Sequence, residues 1–400
     1  MKKRHYDNWL HAFMQYASIN EAPEHIYFWV GVSTIAGALR RKCYFDMGTF
    51  KWYPNFYIVL LAPSGIIAKS TTADLGMNLL RKIPGVKFGP DVVTWQSLIT
   101  SLSKAAESFI EPKSGKATTM SCLTFASSEF GNLLNPKDRE MVDMYVNLYD
   151  SRDNPFRKET KTQGDDVVTN AWVNLIACTT PSWLAQEFPE YTIGGGFMSR
   201  CIFVFGDNKA KLVSYPKRAN GGKNLEDTKR KLVEDLAIIS ELRGEFDMTE
   251  EAYHYGEVLY RVMWEGNKFG GMDPEKFGGY WSRRQSHIHK LAMIISAATS
   301  DDMLITREQL ATAHMMIEGI EPDMQKVFSM IGRSEEAKAY DYVYRLIVSL
   351  GEASNNDIFL AAAGKMPKSV DFDACIDALI RQKRIVPVVG KDGVPRVKAL

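Results

Sequence analysis

Between Ala62 and Thr71 the chain reads Ala-Pro-Ser-Gly-Ile-Ile-Ala-Lys-Ser-Thr, and this stretch holds the residues best suited to chemistry. A continuous apolar run precedes it and a helix is expected to start near Ser70. That context suits a phosphate: backbone N–H groups and the helix N-terminus converge on it, a lysine neutralises its oxygens, and the next hydroxyl holds Mg²⁺. Ser64, Gly65, Ala68, Lys69, Ser70 and Thr71 are therefore the expected nucleotide-binding residues, with ATP and Mg²⁺ as ligands and Ser70 on the metal. The GxxxxGK[ST] pattern is relaxed here: Ala68 precedes the lysine, and Pro63 stands where the first glycine belongs. Ala68 serves only if its φ is negative. The alternative is an ordinary strand-to-helix turn.

Three further positions complete a catalytic set. A second apolar run ends in Ser127-Ser128-Glu129, and an acid there holds the Mg²⁺ shell or polarises the attacking water. Glu129 is the expected acid, although Ser128 stands where a metal-side Asp is common; a carboxylate at a helix N-terminus is the plain alternative. A third run ends in Cys178-Thr179-Thr180-Pro181, where Thr179 is expected to sense the γ-phosphate, unless the two threonines are simply helix caps. After Gly194, Gly195 and Gly196, Arg200 is read as a finger reaching a neighbouring subunit's nucleotide, with a structural ion pair as the alternative. Arg283, Arg284 and Lys290 are lesser candidates for a second sensor.

The elements that must position these residues follow from the hydrophobic pattern. Phe56–Ala62, Cys122–Ala126, Trp172–Cys178 and Cys201–Phe205 are continuous apolar runs, as expected of strands buried on both faces. Helical or polar stretches separate them, which implies an α/β fold with a mostly parallel sheet. Residues 1–50 read as an N-terminal helical segment, with Arg40, Arg41 and Lys42 as a solvated helix end. Residues 51–206 are the expected nucleotide-binding core. Residues 207–332 form a helical domain, opening on a polar linker over 206–226 and including helices at 232–242, 250–264, 285–298 and 307–320, the last capped by Thr306 and Gln309. Residues 333–400 read as three helices and a hairpin, a winged helix.

Composition narrows the class. At 45% hydrophobic and 24% charged residues the chain is an ordinary folded protein. A net charge of +1 provides no global basic field, so nucleic-acid contact has to come from a local patch. Arg381, Lys383, Arg384, Lys391 and Arg396 are that expected patch, in a tail where Asp392 is the sole acid. A second DNA-contacting segment is expected over Asn154–Arg157, Lys158 and Lys161. The five cysteines are dispersed and the histidines scattered, which fits neither a disulfide framework nor a zinc site. The opening Met-Lys-Lys-Arg leads into no apolar core, and no run reaches membrane-span length, so a cytoplasmic protein is expected.

In order, Glu21-Ala22-Pro23, Tyr53 to Leu60, Ala62-Pro63-Ser64-Gly65 with Lys69-Ser70-Thr71, Ser127-Ser128-Glu129-Phe130, Thr179-Thr180-Pro181, Gly196 to Arg200, and Lys290-Leu291-Ala292-Met293 resemble a family of phage and prophage P-loop ATPases related to primase–helicases. The resemblance covers about residues 7 to 320 and rests more on the order of short motifs than on any one of them. It implies a RecA/AAA-like P-loop NTPase core, tolerance of a relaxed phosphate loop, and work in phage DNA replication within a bacterial host cell. The expected activity is that of an ATP-dependent helicase or translocase, acting as a homo-oligomeric ring such as a hexamer on single-stranded DNA. The competing expectation is a weakly or non-hydrolysing P-loop protein: an origin-binding factor, a helicase loader or an adaptor.

Overall fold

In the Tyr57–Leu61 strand every side chain is buried, because it lies in the interior of a sheet with a parallel neighbour on each side. A computed structural model describes residues 3–153, 156–160, 164–189, 192, 196–219, 224–266, 268–329, 331, 335–390 and 393–400. Among them the main sheet has five strands, in the order Ala106–Ile110, Ala117–Ser127, Ala171–Thr179, Tyr57–Leu61 and Cys201–Phe205. The last four run parallel. Ala106–Ile110 is an antiparallel edge, and its alternating exposure shows why no continuous apolar run announces it. The protein is thus α/β with a mostly parallel main sheet.

The helix Glu24–Leu39 is apolar on every side, and every residue from Ile26 to Leu39 is buried. Small residues let its neighbours come close. A Cβ built on Gly37 would stand 2.4 Å from Leu80 Cδ2, and one on Gly76 would stand 2.3 Å from Thr34 Oγ1. Two glycines on facing helices therefore seat the Lys69–Leu80 helix against Glu24–Leu39, and that contact fixes where Lys69 begins.

A smaller mixed sheet joins Leu304–Ile305, Gly244–Met248, Cys43–Asp46 and Lys51–Trp52. One hydrophobic core runs from Trp9 to Ile331, so the first three expected segments form a single compact unit of residues 1–331. The helices at Leu225–Ser240, Glu250–Glu265, Pro274–Thr299 and Arg307–Phe328 pack into it, and Thr306 and Gln309 form the reciprocal cap.

Two expectations for this unit are corrected. Arg40, Arg41 and Lys42 are buried rather than solvated. Arg40 pairs with Glu107 and donates to the Gly85 carbonyl, Arg41 pairs with Asp153, and Lys42 donates to the Ser240 carbonyl. Burial lowers the Lys42 pKa to about 8. The polar stretch after residue 206 is not a free linker where it is described. Lys209 pairs with Glu21, and the N–H groups of Ala210 and Val213 donate to Glu21.

Residues 332–400 form a second compact unit. It has helices at Glu335–Leu350, Asn355–Ala362 and Ser369–Arg381. An antiparallel sheet pairs Glu352–Ser354 and Ile385–Val389 with the two sides of Pro395–Ala399. Its own core includes Val343, Ile347, Ile358, Phe372, Leu379, Ile385 and Val397. Among the described residues no helix is long and apolar enough to cross a membrane.

Candidate functional site

The carboxyl ends of the parallel strands bring together Leu61, Thr179 and Phe205 in register, with Ser127 one strand further out. In open α/β sheets ligands bind in the crevice beyond this edge. The segment from Ala62 to Ala68 leaves the strand here. Pro63, Ser64, Gly65, Ile66 and Ala68 are exposed, while Ile67 is buried and anchors the loop. Gly65 has φ +75°, and a Cβ added to it would meet no atom within 4 Å. Ala68 has φ −79° and ψ 67°, so the alanine that departs from the pattern adopts its backbone without left-handed strain.

The Lys69–Leu80 helix starts without a side-chain cap and with no acid in its first turn. The helices beginning after Thr94, Asp138, Thr180, Asn224, Thr249 and Thr306 all have the cap that this one lacks. The Lys69 N–H donates to the Ile67 carbonyl, and the N–H groups of Ser70 and Thr71 have no acceptor within the helix. Ser70 is half-buried and Thr71 exposed. The Lys69 ammonium folds back over the loop, its Nζ 2.8 Å from the Ala62 carbonyl oxygen. Burial lowers its pKa, opposed by the charges of Cys178 and Glu129. Glu129 itself is exposed just past the Ala117–Ser127 strand, two strands from the loop strand, its N–H accepted by Ser127 Oγ at 3.2 Å. A donor-rich loop, a lysine and a nearby carboxylate thus meet at one edge, and this set fits a nucleotide phosphate with its divalent cation.

Thr179 is buried at the same edge, where its carbonyl accepts the Ala62 N–H at 3.4 Å. Thr180 has the capping role: its Oγ1 accepts from the Trp183 N–H at the start of Pro181–Glu187. The structure therefore separates the two threonines, one beside the loop strand and one holding a helix.

Other expected residues lie elsewhere. Arg200 precedes the Cys201–Phe205 strand, at the amino edge of the sheet, and is 4% exposed. Its Nε and Nη2 donate to the Asp150 carboxylate at 3.1 and 2.8 Å, and Nη1 donates to the Gly196 carbonyl. The finger expectation is corrected on this ground: a buried, bidentate arginine is not presented to a neighbour. Gly194 and Gly195 lie outside the described residues. Arg284 pairs with buried Glu321 at 2.5 Å, and Lys290 donates to Asn55 Oδ1 at 2.8 Å. Asn55 lies before the loop strand, so Lys290 is at the opposite edge from Lys69 and cannot serve as a second sensor there.

Of the expected DNA-contacting residues, Arg384 pairs with Asp341 at 2.9 Å and covers the Tyr344 ring, while Arg396 stands 3.8 Å from Glu352. These acids come from earlier in the chain, so the tail is less unbalanced than its own sequence implies. Arg381 and Lys383 are exposed, and Lys391 lies outside the described residues. The segment expected to touch single-stranded DNA contains an antiparallel hairpin, Phe156–Thr160 with Gly164–Val168, which holds the backbone of Arg157 and Lys158; Asn154 and Lys161 lie outside the described residues.

The sequence reading missed the Ala62 carbonyl that receives Lys69, a backbone group without a residue-type signal. No protein-family model and no curated protein matches the chain.

Proposed function

We propose that the protein is a P-loop ATPase of the phage replication type, and that it uses ATP to move along or separate DNA strands. The observation that carries this reading is the carboxyl-edge loop: an uncapped helix start, Lys69 lying over the loop, and Glu129 at the end of a neighbouring region of the sheet. The open N–H groups of Ser70 and Thr71 would donate to phosphate oxygens, Lys69 would exchange the Ala62 carbonyl for the β- and γ-oxygens, and the Ser70 hydroxyl would help hold the metal. Mg²⁺ would supply charge neutralisation across the phosphates. Glu129 orients the attacking water, and Thr179, one strand over, supports the Ala62 end of the loop. In this reading residues 51–206 are the RecA/AAA-like core and the 332–400 unit is a winged helix, whose exposed Arg381 and Lys383 meet phosphates of DNA. A homo-oligomeric ring rests on the family resemblance, and its trans-acting cation, if it uses one, is not Arg200.

A second reading, a loader or adaptor with weak turnover, is favoured by Ser128 at the metal-side position and by Pro63 in the loop. The two separate on ATP hydrolysis with and without single-stranded DNA, comparing the native protein with Lys69→Ala and Glu129→Gln. DNA-stimulated turnover that both substitutions abolish supports the motor. Nucleotide binding without turnover in any preparation gives the second reading its place.

A further inference from the structure

At the amino edge of the main sheet, away from the phosphate loop, lies a cavity of about 440 Å³. The five-residue loop strand separates the two edges by on the order of 15 Å. Four cations line the cavity, Lys51, Arg152, Arg283 and Lys290, against one carboxylate, Asp150. That carboxylate is already held by both donors of Arg200. Arg152 reaches it only at 3.8 Å.

Among the described residues nothing is bonded to the Arg283 guanidinium, although it is half-buried. Lys290 is 3% exposed and makes no ion pair among the described residues; its ammonium has Asn55 and the face of Tyr149, 3.9 Å from the ring centroid. Burial lowers its pKa to about 7, as expected of a lysine that lacks an anion. Arg283 and Lys290 are seven residues apart on the Pro274–Thr299 helix and so share a face. Half-buried Trp52 forms part of the wall, its ring 5.9 Å from that of exposed Phe50.

A buried lysine and a half-buried arginine without a counter-charge call for an anion, and an arginine fork matches phosphate oxygens. The indole beside them already packs against Phe45 and His289, and what remains exposed of its ring offers a stacking surface for a base. We propose that this cavity binds a phosphorylated nucleoside, its phosphate on Arg283, Lys290 and Arg152 and its base against Trp52. The ligand is either a free nucleotide or one residue of a single strand, and the two share this chemistry.

The test is calorimetric titration of the Lys69→Ala protein with thymidine 5′-monophosphate, the 5′-phosphorylated dinucleotide pTpT and inorganic phosphate. Because Lys69→Ala disables the loop at the other edge, the outcome is independent of the ATPase reading. Binding of a nucleotide that Arg283→Ala weakens at least about tenfold, a loss of one good charged contact, is expected, with partial recovery in Arg283→Lys. Trp52→Leu is expected to weaken the nucleotides and leave inorganic phosphate unchanged. A stronger response to pTpT assigns the site to a strand; equal affinities assign it to free nucleotide. No nucleotide binding, binding indifferent to Arg283→Ala, or inorganic phosphate bound as tightly as the nucleotides would overturn the proposal. Circular dichroism of each variant confirms that the comparison is between folded proteins.

Discussion

The two edges of the main sheet carry similar residue types and use them differently. At the amino edge and on the Pro274–Thr299 helix beside it, Arg200 and Arg284 are buried and bonded to Asp150 and Glu321, and Asn55 joins Tyr149, Val173 and Lys290 through buried hydrogen bonds. At the carboxyl edge, Lys69 is only half-buried, its ammonium is bonded to a carbonyl of its own loop, and the neighbouring N–H groups are open. A buried charge fixed by an opposite charge holds the fold, whereas a charge resting on a replaceable backbone acceptor is free to take a ligand. Residue type does not distinguish the two; the partners do.

This contrast predicts where substitutions destabilise. The largest effect is expected from Glu321→Ala, which strands Arg284 and Tyr280 without their shared acceptor. Removing one partner of a buried pair costs about 3–5 kcal/mol, read as a lowered urea midpoint; a change below about 1 kcal/mol would put Arg284 in the same class as Lys69. Next is Gly76→Ala, where the added methyl meets Thr34 Oγ1 and Val30 Cγ1. Overpacking of this kind costs about 1–3 kcal/mol, and because this contact seats the loop helix, ATP affinity should fall with it.

A smaller effect is expected from pH. Burial lowers His287 to about 3 and His289 to about 4. Both therefore stay neutral in the folded chain while they take protons in the unfolded one near the ordinary value of about 6.5. Their stabilising contribution is complete above that pH and is lost progressively as pH falls below it towards the folded values. Urea midpoints measured between pH 7 and 5 should fall, and the His289→Gln protein should fall less steeply. A flat profile would mean that these rings are accessible to protons in the fold.

Much of this arrangement was legible because it rests on local pattern. The buried strands at 57–61, 171–179 and 201–205 show as continuous apolar runs, and Thr306 with Gln309 marks a helix start that the structure has at that residue. What was not legible depends on distant partners. Arg40, Arg41 and Lys42 read as a solvated end because Glu107, Asp153 and the Ser240 carbonyl lie far along the chain. Arg200 read as a finger because nothing near it in sequence announces Asp150 as its partner. The same holds for Asp341 beneath Arg384. The strands at 106–110 and 244–248 went unseen because Glu107 and Ser108 interrupt the first and Glu245 and Asp247 the second, so neither is a continuous apolar run. In the loop, the negative φ of Ala68 was the condition left open by the sequence, and it is met.

The most direct test of the account is equilibrium binding of ATP with Mg²⁺ to the native protein and to Lys69→Ala, with urea unfolding of both. Lys69 has no buried counter-charge, so the substitution should move stability by no more than about 0.5 kcal/mol while ATP affinity falls at least about tenfold, the loss of one charged contact. Equal affinity in the two proteins, or a loss of binding that merely follows a loss of stability, would contradict the assignment of the carboxyl-edge loop as the nucleotide site.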